Sequence, residues 1–278
     1  MPDSVSVLLP IHMGLDVRYL ARALDSVAAQ TRRPDQVVVV VDGPVTPAQD
    51  ALLEEVSSNM PMDVVRLPTN GGAGVANQAG LLHCRGDWVM KADGDDVSVP
   101  ERLERLLEHV LSVGADVCGS AMWEFEGDET NIVSVRTPPL THPAIARRMR
   151  WNNPLNHPTT LYRTEFAKTV GGYGDLRYMQ DYDLFARMLA AGARFANLAE
   201  PLVLFRAGDA VMSRRRSPAM RRCEWQLQRN LASYGVVSPP RRYANFVARQ
   251  GARMLPEKGM TWLHRALFSR KVRPPGAV

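Results

Sequence analysis

Asp87-Trp-Val-Met-Lys-Ala-Asp-Gly-Asp-Asp-Val-Ser-Val-Pro100 is the stretch that decides the fold. Its first four residues read as a strand. Pro100 opens a helix, because a proline at the first helical position lacks only an N–H that would be unpaired anyway. Asp93, Asp95 and Asp96 therefore crowd one strand-to-helix turn. Such crowding disfavours the ionised carboxylates unless a cation neutralises them. Mg²⁺ and Mn²⁺ are hard cations that take oxygen ligands and are commonly shared between a carboxylate and a diphosphate. The turn reads as a metal–nucleotide site, or as a solvated acidic turn with a helix N-cap, since Asp is a frequent turn residue.

Working outward, the pattern repeats. Val5–Leu9 is a β-run ended by Pro10. Arg18–Gln30 has helical spacing, with Leu20, Leu24 and Val27 on one face. Gln36–Val41 is a continuous apolar run, as expected of a central parallel strand, and it stops at Asp42-Gly43-Pro44. Pro47 starts a helix to about Val56, and Asp63–Arg66 is a third short strand. Asn70-Gly-Gly-Ala-Gly74 is a loop leading into a helix to about Cys84. After the acidic turn come a helix through about Val113 and a strand over Asp116–Met122. This alternation predicts an α/β fold, a mostly parallel central sheet flanked by helices. Ligands of such sheets bind beyond the carboxyl ends of the strands. Pro10, His12, Asp42, the 70–74 loop and the acidic turn all belong at that edge.

The second half is less regular. Trp123–Val135 suggests an antiparallel pair around Gly127-Asp128, and His142–Met149 a short helix. Asn152–Pro158 and Gly171–Gly174 are loops, and Gln180–Ala191 is amphipathic.

The chain has 278 residues, enough for one large domain with an appendage. Its three cysteines, Cys84, Cys118 and Cys223, lack metal-finger or redox spacing, which fits a reducing compartment. No secretory segment opens the sequence, and no apolar run reaches the roughly 20 residues of a spanning helix. A cytoplasmic protein is expected. Residues 1–205 hold 18 Lys and Arg against 26 Asp and Glu, whereas residues 206–278 hold 16 against 3. The composition changes near Arg206, and the basic tail calls for an anionic partner. Thr261–Lys271 can form a basic amphipathic helix of the kind that lies in a lipid headgroup layer, or one that packs on the protein. No nucleic-acid recognition module is present, so nucleic acid is not expected. The Gly72-Ala-Gly74 pattern lacks the third glycine of a dinucleotide loop, because Asn77 stands there, and it follows the wrong strand, so NAD binding is excluded.

Seven elements occur in an order that resembles the family 2 glycosyltransferases of GT-A fold. They are Val5–Pro10, Ala23–Thr31, Val40–Gly43, Asn70-Gly71-Gly72 with Asn77, Asp93–Asp96, Gly171-Gly-Tyr173 and Gln180–Leu184. Asp42-Gly-Pro44, Asn153–Thr159 and the pair Arg206–Asp209 with Met212–Arg216 resemble the amylovoran and capsular exopolysaccharide branch.

The resemblance implies a catalytic domain over residues 1–206, with a nucleotide-binding half to about 122 and an acceptor half from 123, then a basic helical extension over 207–278. It implies inverting, metal-dependent transfer of a sugar from a nucleotide-diphosphate donor, a UDP-sugar above others, to a hydroxyl of a saccharide or lipid-linked saccharide. Pro10, His12, Asp42, Gly71, Gly72, Asn77 and Asp93 would line the nucleotide site. Asp95, with Asp93, would hold Mn²⁺ or Mg²⁺, and Asp181 would be the catalytic base. Arg214 and Arg215 would clamp the diphosphate, guanidinium being well matched to phosphate oxygens, or belong to a solvated basic run. Asn153, His157 and Gln180 are candidates for the acceptor side. The basic tail would seat the protein on the inner face of the plasma membrane. Two departures stand out: Val41 precedes Asp42 where relatives often carry a second acid, and Gln180 replaces a frequent Glu. The Gln-x-x-Arg-Trp motif of processive synthases is absent, which favours single-residue transfer. Two other readings are a sugar-phosphate nucleotidyltransferase, for which the basic glycine-rich loop after the first strand is missing, and a non-catalytic membrane adaptor.

Overall fold

The hydrophobic run Gln36–Asp42 forms strand β2 and is buried at every position, which requires cover on both faces. Val38 and Val40 point into one core cluster with Leu8 and Val89. Val37, Val39 and Val41 point into the other, with Val7, Leu9 and Met90. The computed structural model describes residues 3–207, 218–254 and 269–270. Strands β1 (Val5–Ile11), β3 (Met62–Leu67) and β4 (Trp88–Lys91) join β2 in parallel, in the order β3-β2-β1-β4. Helices α1 (Val17–Ala28), α2 (Pro47–Ser57) and α3 (Ala73–His83) make the crossovers. Thr46 and Gln49 form a reciprocal capping box that fixes the start of α2.

Beyond β4 the sheet becomes mixed. Strand β8 (Leu161–Arg163) is antiparallel to both β4 and β6 (Val117–Phe125). Strand β7 (Ile132–Arg136) pairs antiparallel with β6, forming the expected hairpin around Gly127. Strand β9 (Phe195–Arg206) runs parallel to β6 and ends against β5 (Val97–Ser98). Neither β8 nor β9 is evident in the sequence. Strand β8 is three residues long, and β9 carries Pro201 at a shift in its register with β6. A proline inside an apolar run argues against a strand unless a bulge accommodates it.

Helices α4 (Arg102–Val113), α5 (His142–Met149), α6 (Thr164–Thr169) and α7 (Gln180–Ala190) complete the body, with a 3-10 turn at His157–Thr159. Two further helices, α8 (Pro218–Ser233) and α9 (Pro239–Met254), form a hairpin. Leu227 and Leu231 of α8 are fully buried in the same cluster as Leu184 and Met188 of α7. The hairpin therefore packs on the protein. The helix expected over Thr261–Lys271 is corrected in part: Ser269–Arg270 form a short strand, β10, antiparallel to β7. Its remaining residues lie outside those described, and no described helix is long and apolar enough to cross a membrane.

Candidate active site

The strand ends converge as the topology demands. At the end of β2, the Asp42 carboxylate accepts the backbone N–H groups of Gly71 at 2.7 Å and Gly72 at 2.9 Å. Asn70 donates to the Asp42 carbonyl at 3.1 Å. Gly43 follows with φ +83°, and a Cβ there would lie 2.7 Å from the Asn70 nitrogen. Asp42 thus shapes the glycine loop. At the end of β1, Pro10 is half-buried and His12 exposed, with Nδ1 accepting from the Gly14 N–H at 3.0 Å.

Asn77, in the first turns of α3, is 1% exposed; its Nδ2 donates to the Ala73 carbonyl at 2.7 Å, and its Oδ1 has no partner among the described residues.

The acidic turn after β4 contains its own cation. Lys91 is fully buried, and its ammonium pairs with Asp93. Burial pushes the Asp93 carboxyl up, but Lys91, with His157 and Arg102, outweighs it and holds the group below the usual carboxylate range. Burial first, then the Asp93 charge, pushes Asp95 up. Burial with both neighbouring carboxylates pushes Asp96 well above the ordinary value. Asp96 accepts the Arg206 N–H at 3.0 Å, and its other oxygen has no partner among the described residues. Arg102 lies beneath, fully buried, donating to Ser98 at 3.0 Å and to the carbonyls of Lys91 and Pro158. Burial lowers its guanidinium to about 10, which leaves it charged at neutral pH. Arg206 stacks on Tyr19 at 3.7 Å and on Phe125 at 4.5 Å. No site role was assigned from the sequence to Lys91, Arg102 or Arg206. Lys91 stood in the opening stretch, where an inward-facing lysine next to three acids was the available signal.

Two raised carboxyls and an unpartnered oxygen fit a divalent cation at this turn. No three His, Cys, Asp or Glu side chains among the described residues converge as a closed cage. Asp93 has one oxygen engaged by Lys91, so Asp95 is the freest ligand. A cation held there would take further oxygen ligands from a diphosphate, as is usual for Mg²⁺.

Asp181 lies in the first turn of α7, where the helix dipole favours a carboxylate. The preceding Met179 is left-handed at φ 63°, a strained state for a side-chain-bearing residue. The Asn153 amide donates to Asp181 at 2.6 Å. His157 is held by the Tyr173 hydroxyl at 2.9 Å, which meets the Tyr162 hydroxyl at 3.0 Å. Burial lowers the His157 imidazole, while Asp181 and Asp93 both act on it from within electrostatic reach. His157 is thus within electrostatic reach of both the acidic turn and Asp181.

Gln180 is buried beside Gly74, where a Cβ would come 3.0 Å from the Leu176 carbonyl and 3.1 Å from that of Gly174. This contact brings the start of α7 against the start of α3. Asp42 with Gly71 and Gly72, Asp93 with His157, and Asn153 with Asp181 are thus assembled at one edge. Arg214 and Arg215 lie outside the described residues.

Residues 6–171 match Glycosyl transferase family 2. An uncharacterized glycosyltransferase of Haemophilus influenzae is 34% identical over 96% of this chain and 99% of its own. The amylovoran biosynthesis glycosyltransferase AmsE of Erwinia amylovora is 32% identical over 93% of this chain and 97% of its own. An Escherichia coli UDP-Gal:alpha-D-GlcNAc-diphosphoundecaprenol beta-1,3-galactosyltransferase is 26% identical over 95% and 96%. The crystal structure of S. aureus TarS 1–349 in complex with UDP-GlcNAc superposes with a TM-score of 0.70 at 19% identity, covering 95% of this chain and 79% of that one. The chain belongs to glycosyltransferase family 2, and its fold is GT-A. It is a glycosyltransferase.

Proposed function

We propose that this glycosyltransferase is an inverting, metal-assisted hexosyltransferase acting on a nucleotide-diphosphate sugar, with a UDP-sugar as donor. The acceptor is a hydroxyl of a saccharide, carried on a lipid diphosphate. The observation that carries this reading is Asp181 in the first turn of α7, held by the Asn153 amide at 2.6 Å, with His157 in electrostatic reach of both Asp181 and Asp93.

The chemistry is a single displacement. The acceptor oxygen attacks the anomeric carbon as its proton passes to the Asp181 carboxylate. The bond from that carbon to the diphosphate oxygen breaks, and the nucleoside diphosphate leaves from the opposite face. Asp95, with the second oxygen of Asp93, would hold Mn²⁺ or Mg²⁺, which neutralises charge on the departing diphosphate. The glycine loop capped by Asp42 supports the nucleotide, with Pro10 and His12 beside it. His157, neutral because buried, offers a polar contact to sugar or acceptor. The names of the E. coli relative and of the TarS complex favour a UDP-sugar and a lipid-diphosphate acceptor.

We place the protein in the cytoplasm, peripheral on the inner face of the plasma membrane. Exposed Trp151, Tyr243 and Val247, among the arginines of α5 and α9, support an anionic lipid surface as partner.

The test is turnover of UDP-galactose, UDP-glucose and UDP-GlcNAc with GlcNAc-diphosphoundecaprenol, alongside calorimetry of UDP with and without Mn²⁺. Asp181→Asn is expected to lower turnover by at least about 100-fold while UDP binding persists. Turnover by Asp181→Asn at the wild-type rate would sink the assignment of the base.

A further inference from the structure

We propose that Arg249, on the helical hairpin beyond the region matched to the family, is a positioning residue that sets the catalytic base through the Arg150–Asn153 segment. The inference rests on the reading of Asp181 as the base. Its ground is a run of consecutive residues fastened by three side chains, those of Tyr182, Asn245 and Arg249. The Met149 carbonyl accepts from the Tyr182 hydroxyl. The Arg150 carbonyl accepts from Asn245 at 2.9 Å. The Trp151 carbonyl and the Asn152 side-chain oxygen both accept from Arg249 Nη2, at 2.7 and 2.9 Å. The next residue, Asn153, donates to Asp181 at 2.6 Å, while its own side-chain oxygen accepts the Leu155 N–H at 3.2 Å.

Arg249 is in turn fixed by Glu224. That glutamate is fully buried on α8, and its carboxylate accepts from Arg249 Nη1 at 3.1 Å. Arg241 stacks on the Trp151 ring at 3.7 Å and steadies the same segment from outside. A planar guanidinium can serve a carboxylate with one nitrogen and two neutral acceptors with another. An ammonium is a point charge on a flexible stem and cannot hold both sides in register. The hairpin thus acts as a strut. Its inner end is a buried charge pair, and its outer end is the segment that aims Asn153 at Asp181.

The test uses the full chain. Arg249→Ala would take the guanidinium from the buried Glu224 carboxylate and risk misfolding. Arg249→Lys keeps the charge, and Asn152→Ala removes an acceptor from the segment without touching Glu224. Both are read first by amide hydrogen exchange. Faster exchange at Leu155, with no change at Gly71 and Gly72, is expected. They are then read by UDP release from UDP-galactose, UDP-glucose and UDP-GlcNAc, to GlcNAc-diphosphoundecaprenol and to water. The expected result is a kcat about tenfold lower with UDP affinity within twofold of wild type. Each variant is also combined with Asn153→Ala, and no further loss is expected there, because a residue acting through Asn153 has nothing left to act on. Unchanged exchange at Leu155, or a loss that multiplies with that of Asn153→Ala, would overturn the proposal. Asp181→Asn separates the two failures. If it turns over normally, the base is elsewhere, and the exchange result still decides whether Arg249 orders the segment.

Discussion

Asp96 is buried, with one carboxylate oxygen on the Arg206 N–H and the other without a partner among the described residues. Burial and the charges of Asp93 and Asp95 push its carboxyl well above the ordinary value of 3.8. Below that value, folded and unfolded chains both carry the proton, and the group is neutral to stability. As pH rises past it, the unfolded chain ionises more readily than the folded one, so stability falls with pH. Asp96→Asn keeps the bond to Arg206 and removes the ionisation. With chelator present, its melting temperature should exceed wild type at neutral pH, the gain vanishing in acid below the ordinary carboxylate range. An equal gain at both pH values would contradict this account. The carboxylates of this turn were legible in the sequence, because three acids in four residues are a local signal. Arg102 and Arg206 were not, because they reach the turn from 11 and 110 positions away; Lys91 is only two residues from Asp93, but that it is buried and turned inward is set by the packing around β4. Asn77 stands where the motif places it, and the back-bond of its Nδ2 to the Ala73 carbonyl is a contact the motif does not record.

Among the elements, β2 and the loop that follows β3 act as one device. Gly43 at φ +83° lets the chain turn off β2 so closely that the Asn70 nitrogen occupies the space of a Cβ. Gly43→Ala should therefore cost about 1–3 kcal/mol in chemical denaturation, the scale of a strained backbone state. It should also weaken UDP binding, since the loop can no longer rest on Asp42. Wild-type affinity in that variant would show that the loop does not form the nucleotide pocket. The elements of the first half were readable because each apolar run is local and bounded by Gly, Pro or Asp. Strand β9 was not, since Pro201 is tolerated only through a register shift against β6, which no local pattern records. Strand β8 is held by its two neighbours, and three residues carry no period of their own.

For the whole molecule, the family match ends at Gly171, yet the packed body continues into the hairpin. Asp183 of α7 is 2% exposed and binds Arg187 on one oxygen and Asn230 and Tyr234 of the hairpin region on the other. Arg187 passes the connection to the Val170 and Gly172 carbonyls. The basic charge of the tail was plain in the composition. Its division into charges turned inward as struts and charges left outside was not, because composition carries no direction. The outward groups make the lipid proposal testable. Binding to vesicles rich in phosphatidylglycerol should exceed binding to phosphatidylcholine vesicles and weaken as salt rises. Tyr243→Ser with Val247→Ser should reduce it. Equal binding to both kinds of vesicle would remove the electrostatic part of that proposal.

Lys91 gives the molecule a built-in reporter. The chain has four lysines, and Lys91 is fully buried with its ammonium on Asp93. An acylating reagent needs the free amine and room to approach, so in the folded protein Lys91 should be labelled last. Peptide mass spectrometry over time would then read the opening of the region beneath the acidic turn. A nucleotide that closes the site over that turn should lengthen the half-life of the unmodified amine, an occupancy signal that requires neither acceptor nor turnover.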